Sequence, residues 1–342
     1  MAGRRGRIGG AAVAALLLAG AVGFGSNPRQ IVEREIYLMG TRARLVVSAA
    51  SREEGLEALD RAVTVIEATE TELSTWRDES AVTALNRQSV GSPWHASPRL
   101  CATFAKLYHW HAETRGSFDP AIGALTDAWD IHGQGRVPTS LELARAKATS
   151  GLHRLRFSRQ DCTLTRIANV RIDVGAWGKG EALDRVSEVF GDTAWLVDLG
   201  GQVSVGGASS DVEEWPVGVA HPLERDRPWL RLSLHSGSLS TSAGSERDLI
   251  VNGQRVAHHL NPRTGKPAAF TGSVSVWHSS GLVADILSTA LYVMGPEEGL
   301  RWAEKRGLSV CYLIPEADGR VNTWMTAGFK MLLEQRSRSA TS

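Results

Sequence analysis

Cysteine is scarce in this 342-residue chain: Cys101, Cys162 and Cys311 are all there are. Three is an odd number, so no more than one internal bridge can form, and their wide spacing matches no cysteine-based metal site. By default each reads as a small core residue. An excess of charge of one sign is also missing: the formal net charge is +1, which offers nucleic acid no bulk attraction. No uninterrupted apolar run reaches the roughly 20 residues of a comfortable membrane span. Internal repeats are absent. The two common phosphate-binding glycine signatures are absent as well. In "DVGAWGKGEALDRV" (Asp173–Val186) only Ala176 and Trp177 separate Gly175 from Gly178, and Gly180 stands where a P-loop needs Ser or Thr. A Gly-x-Gly start for a dinucleotide fingerprint is not there either.

What is present is an ordinary globular composition, with 42% hydrophobic and 22% charged residues. The N-terminus stands apart. Arg4, Arg5 and Arg7 precede an apolar stretch from about Ala11 to Phe24, with small residues at Ala21 and Gly25. That is the layout of a secretory signal. Residues 1–25 are therefore expected to be a signal peptide or N-terminal anchor, and 31–335 the functional domain. No cysteine follows the apolar stretch, so a lipoprotein attachment site is missing.

Periodicity places the elements. Ile31–Ala49 alternates like a strand pair around Gly40, and Arg52–Thr75 has the spacing of a long amphipathic helix. Ser97–Gly116 reads as a second helix ending at glycine, Leu282–Gly295 as a late one. Strands are expected at Ala194–Gly207, Trp215–His221, Trp229–Ser242, Gly272–Ser279 and Ser309–Pro315. Helices and strands mix without strict βαβ alternation, so the expected class is α+β.

Several stretches carry polar groups suited to chemistry. Asp285 and Thr289 lie four apart on the late helix, stacking a carboxylate and a hydroxyl on one face, while Ile286, Leu287, Ala290 and Leu291 at the opposite positions are expected to face the core. Hard oxygens of this kind suit Mg²⁺. The structural alternative is that Asp285 complements a helix start while Thr289 bonds back to a carbonyl. His258 and His259 precede Asn261-Pro262-Arg263-Thr264-Gly265, where a strand enters a turn. Either a general base or a pair of surface histidines fits that place. Trp76 could stack on a flat ring and Asp119 accept from ring N–H groups, with core packing and turn formation as the alternatives. Gly200 and Gly201 allow a bulge or a close approach.

In order along the chain, "LMGT", "STWRDESAVTALNR", "GSFDPAIGAL", "DVGAWGKGEALDRV", "LVDLGGQVSVGG", "HHLNPRTGKP" and "ADILSTALYVMG" resemble the signatures of the ApbE family, the FAD:protein FMN transferases. The resemblance spans about Ile36 to Met294. It implies an ApbE-like (T-fold-like) fold of mixed sheets and packed helices, with the flavin site in a cleft between subdomains. It implies FAD as substrate and Mg²⁺ as cofactor, with FMN passed to a Thr or Ser hydroxyl of an acceptor flavoprotein and AMP released. The acceptor would belong to an extracytoplasmic electron-transfer system, in agreement with the export signal, and the N-terminus would allow membrane association. The resemblance assigns the metal to Asp285, Thr289 and the backbone carbonyl of Ala176. It assigns FAD contacts to Met39, Trp76, Ser117, Phe118, Asp119, Asp173, Lys179 and His259, and the general base to His258. The chain departs from the family pattern at Asn261, Gln202 and "TSAGS" (Thr241–Ser245), which lose acidic and aromatic groups. The alternatives are a FAD pyrophosphatase giving FMN and AMP, a non-catalytic FAD-binding protein, and an unrelated exported binding module.

Overall fold

The largest element of the computed structural model is an antiparallel sheet whose strands lie side by side in chain order. They are β1 (Gln30–Leu38), β2 (Thr41–Ala49), β3 (Trp195–Leu199), β4 (Gln202–Gly206), β5 (Gly237–Ala243), β6 (Ser273–His278), β7 (Ser309–Pro315) and β8 (Val321–Met325). The structure describes residues 29–209, 211–224, 226–244, 249–251 and 254–339. The segment expected to be a signal or anchor, and Ser245 of the "TSAGS" stretch, lie outside them. Among the described residues no helix is long and apolar enough to cross a membrane.

The strand pair around Gly40 is a hairpin in which Ile36 faces Ala43 and Leu38 faces Thr41. Met39 and Gly40 turn it with positive φ of 48° and 70°, the left-handed pair that such tight hairpins require. Alternation in β2 sorts side chains by face. Ala43, Leu45 and Val47 join a core with the first helix, while Val46 joins the core on the far side. The stretch Ala194–Gly207, expected as one strand, is instead the hairpin β3–β4. Gly200 and Gly201, with φ of 64° and 89°, are its turn rather than a bulge. Trp229–Ser242 is likewise divided. Pro228–Leu234 pairs with Trp215–Ala220 in a separate hairpin, and only Gly237–Ala243 joins the large sheet.

Everything else is inserted between these strands or follows them. Between β2 and β3 lie α1 (Arg52–Leu73), α2 (Ala81–Arg87), α3 (Pro98–Glu113), α4 (Gly123–Ala128), α5 (Ser140–Ala148) and α6 (Gly178–Phe190), with a small three-stranded sheet. α7 (Gly281–Met294) and α8 (Pro296–Glu304) join β6 to β7, and α9 (Ala327–Ser339) follows β8. Ser51 starts α1 by accepting the N–H of Glu54, and its Ala58, Leu59, Ala62 and Ile66 stripe buries against the sheet. α1, α6 and α7 pack side by side, α1 on β1 and β2, α7 on β5 and β6. The Trp215–Leu234 hairpin and Phe329 of α9 cover the opposite face.

Cys101 and Cys162 form a disulfide that ties α3 to the small sheet. This corrects the reading of all three cysteines as simple core residues. Cys311 is free and buried, and burial pushes its thiol pKa up to about 12.

Candidate active site

α6 and α7 cross where both are glycine. A Cβ on Gly180 would stand 2.4 Å from the carbonyl oxygen of Gly281, so only glycine allows the approach. At that crossing Asp285, 4% exposed, accepts the N–H of Gly180 at 3.1 Å. The Lys179 ammonium lies 3.8 Å from the same Asp285 oxygen. Asp184 of α6 in turn accepts the Ser280 hydroxyl at 2.5 Å and the N–H groups of Gly281 and Leu282. Each helix thus supplies a carboxylate to the other's N-terminal turn, where the helix dipole favours negative charge. Of the glycines in "GAWGKGEALD", Gly180 is the one that serves this crossing. The apolar face expected opposite Asp285 is formed, with Ile286, Leu287, Ala290 and Leu291 fully buried.

Beside the crossing is a cleft of about 640 Å³, within the range of roughly 300–1,000 Å³ usual for small-molecule sites. Seven expected site residues line it: Asp173, Ala176, Lys179, His258, His259, Asp285 and Thr289. The back-bond in this turn of α7 is made by Ser288, whose hydroxyl donates to the Asp285 carbonyl at 3.0 Å, while Thr289 lines the cleft. Asp285, Thr289 and Ala176, which can offer a carboxylate, a hydroxyl and a backbone carbonyl, therefore line the same space. That donor set fits a hard divalent cation whose remaining ligands come from a substrate. It is not an all-protein cage: among the described residues no three His, Cys, Asp or Glu side chains converge for a metal.

The rings of His258 and His259 lie 3.9 Å apart between centroids, tilted by 47°, and His259 lies 4.4 Å from the ring of Tyr292. The turn that follows them closes through Asn261, which accepts the Arg263 N–H at 3.0 Å. Asparagine makes this turn as aspartate would, without its charge. Gln202 donates to the Gly281 carbonyl at 2.8 Å and to Ser238 at 3.2 Å, supporting the start of α7.

The other expected residues stand behind or beside the cleft. Met39 donates its N–H to Glu70 at 3.0 Å, and its methyl approaches the start of α6 near Gly178. Ser117, Phe118 and Asp119 are buried. Both Asp119 oxygens are engaged, with the N–H groups of Ala121 at 2.8 Å and Leu152 at 3.1 Å. Burial raises the Asp119 pKa, partly opposed by His111. The segment nonetheless sets the site, because Asp173 donates its N–H to the Pro120 carbonyl at 2.8 Å. Asn86 does the same from α2, its side-chain amide exchanging hydrogen bonds with the backbone of Ile172 at 2.7 and 2.9 Å. Trp76 is 73% exposed and meets His132, a cleft residue, edge-on at 5.5 Å.

Sequence reasoning passed over His132 and Asp198. Asp198 lines the cleft, accepts the Gly201 N–H at 2.8 Å, and has its pKa raised by burial. The available signal was its place two residues before the double glycine. His132 sits in "DIHGQG", whose glycines mark a turn without revealing what faces it.

A model of the ApbE family matches residues 39–312. The FAD:protein FMN transferase of Salmonella typhimurium is 28% identical over 312 residues, covering 86% of this chain and 87% of that protein. The Treponema pallidum protein of the same description is 28% identical over 346 residues, covering 94% and 95%. Among solved structures, the ApbE protein of Thermotoga maritima superposes with a TM-score of 0.81 at 26% identity, covering 89% of this chain and 99% of that one. The flavin transferase ApbE of Vibrio cholerae superposes with a TM-score of 0.79 at 24% identity, covering 90% and 100%.

Proposed function

The chain belongs to the ApbE family, and from that premise we propose that it is a flavin transferase that moves FMN from FAD to a Thr or Ser hydroxyl of an acceptor protein. The observation that carries the reading is the single cleft into which Asp173, Lys179, His258, Asp285 and Thr289 all open. They come from three separate stretches of the chain, at residues 173–179, 258 and 285–289.

His258 takes the proton of the acceptor hydroxyl, as a general base within reach of the cleft does. The hydroxyl oxygen then bonds to the FMN phosphorus, the bond to the AMP phosphate breaks, and AMP leaves with the electron pair. Lys179 and the N-terminal turn of α6 face the pyrophosphate with positive potential. Asp173 and Trp76 hold the flavin nucleotide. Asp285, Thr289 and the Ala176 carbonyl would hold Mg²⁺, which when bound supplies Lewis-acid polarisation of the pyrophosphate. Residues 31–335 act as one unit in this reading. The arginine-led N-terminal pattern and the Cys101–Cys162 bridge support action outside the cytoplasm, where disulfides persist.

The test is incubation of the protein with FAD, Mg²⁺ and acceptor proteins carrying exposed Thr or Ser. A fluorescent acceptor band surviving denaturing electrophoresis, with AMP released in equal amount, is the expected result. AMP release unaffected by acceptor would instead identify a pyrophosphatase. Absence of both products would overturn the reading.

A further inference from the structure

We propose that His132 is a positioning residue for the flavin-nucleotide site, holding Asp173 in its binding geometry; this rests on the function proposed above. The turn that carries His132 is tightly tied. Asp130 has a φ of 51°, and its carboxylate accepts the N–H groups of Gln134 at 3.0 Å and Gly135 at 3.2 Å. Ile131 donates to the Thr126 carbonyl at 2.9 Å, and Arg136 to that of Trp129 at 3.0 Å. Trp129 ties the turn across to the loop after His259, donating its indole N–H to the Gly265 carbonyl at 2.8 Å. His132 is therefore delivered to the cleft wall from a fixed support.

There its Nε2 lies 3.0 Å from Asp173 Oδ2, while Oδ1 of the same carboxylate accepts the Gly175 N–H at 2.8 Å. A carboxylate only accepts, so the proton in the first bond belongs to His132 Nε2. With one oxygen on His132 and the other on Gly175, the carboxylate plane is set. So is the backbone bend leading to Ala176 and Lys179. The His132 ring also makes a T-shaped contact with Trp76. One imidazole thus joins three otherwise separate segments: the Trp76 loop, its own turn and the Asp173 bend. Nothing in the core requires this, because His132 and Trp76 are both substantially exposed. The arrangement acts on what enters the cleft.

The experiment measures FAD affinity by quenching of flavin fluorescence, together with KM and kcat for FMN transfer, in the full chain. For His132→Ala, the dissociation constant and KM for FAD are expected to rise together by about ten-fold with kcat within about three-fold, the pattern of lost ground-state binding. His132→Gln keeps an N–H donor at similar reach and is expected to restore affinity to within about three-fold, as hydrogen-bond rescue requires. In an Asp173→Asn background His132→Ala is expected to add little, because the pair acts as a unit. Unchanged affinity in His132→Ala, or equal losses in the Ala and Gln variants, would overturn the proposal while the flavin-transfer reading stands. Failure of the unaltered protein to bind FAD would overturn both.

Discussion

Asp285 of α7 accepts the N–H of Gly180 at 3.1 Å, and Asp184 of α6 answers by accepting the Ser280 hydroxyl at 2.5 Å. The two helices are locked by exchanged caps, and one of the locking carboxylates borders the cleft. Structure and chemistry share a side chain here, so substitutions must be chosen to separate them.

Gly180→Ala addresses the packing. Its Cβ would stand 2.4 Å from a backbone oxygen that no side-chain motion can relieve. Alanine gains about 1 kcal/mol of helix propensity, but overpacking of this kind costs about 1–3 kcal/mol, and the Asp285 bond would be stretched as well. A lower denaturation midpoint at unchanged m-value is expected in chemical unfolding.

Asp285→Ala addresses the chemistry. Loss of the carboxylate should lower AMP release from FAD by about 10³-fold, the several kcal/mol a Lewis acid supplies. Chelation of divalent cations with EDTA should cause a similar loss in the unaltered protein and little further loss in the variant. Additive losses would separate Asp285 from the metal.

Removing the proposed base should spare binding. His258→Ala is expected to reduce FMN transfer by about 10²–10⁴-fold while leaving FAD fluorescence quenching nearly intact. Equal damage to affinity and to rate would place His258 in binding instead.

Thiol chemistry should report the bridge and the buried thiol separately. The native protein is expected to show no reactive thiol at pH 8, since Cys101 and Cys162 are paired and burial raises the Cys311 pKa to about 12. Unfolding without reductant should expose one thiol, and reduction all three. With a sequence separation of 61 between the paired cysteines, replacing both by alanine should cost about 4 kcal/mol by loop-closure entropy, read as a fall in the unfolding midpoint.

Much of this was legible in the residues. Met39-Gly40 announced its hairpin, Ser309–Pro315 its strand, and the spacing of Asp285 with Ile286, Leu287, Ala290 and Leu291 both faces of α7. Local patterns sufficed because each is fixed within one element. What the sequence hid was long-range. Leu199-Gly200-Gly201-Gln202 is equally compatible with a bulged strand and a hairpin, and only the neighbouring β2 and β5 select the hairpin. Nothing near Cys101 predicts Cys162 beside it, since that pairing follows from how α3 lies on the small sheet. The Asp119 carboxylate accepts two backbone N–H groups, partners that a one-dimensional reading cannot foresee. His132 went unnoticed for the same reason: its partner Asp173 lies in another motif altogether.

The side-by-side order of the strands has a kinetic consequence. β1–β2, β3–β4 and β7–β8 are neighbours along the chain and need close only short turns, whereas β2 meets β3 only after residues 50–194 have been gathered in. Late closure of long loops slows the contacts that depend on them. The β2–β3 seam forms part of the cleft floor through Thr41, Asp198 and Gly200. A refolding chain should therefore regain most of its sheet signal first, and the ability to hold a nucleotide should be the last property to return.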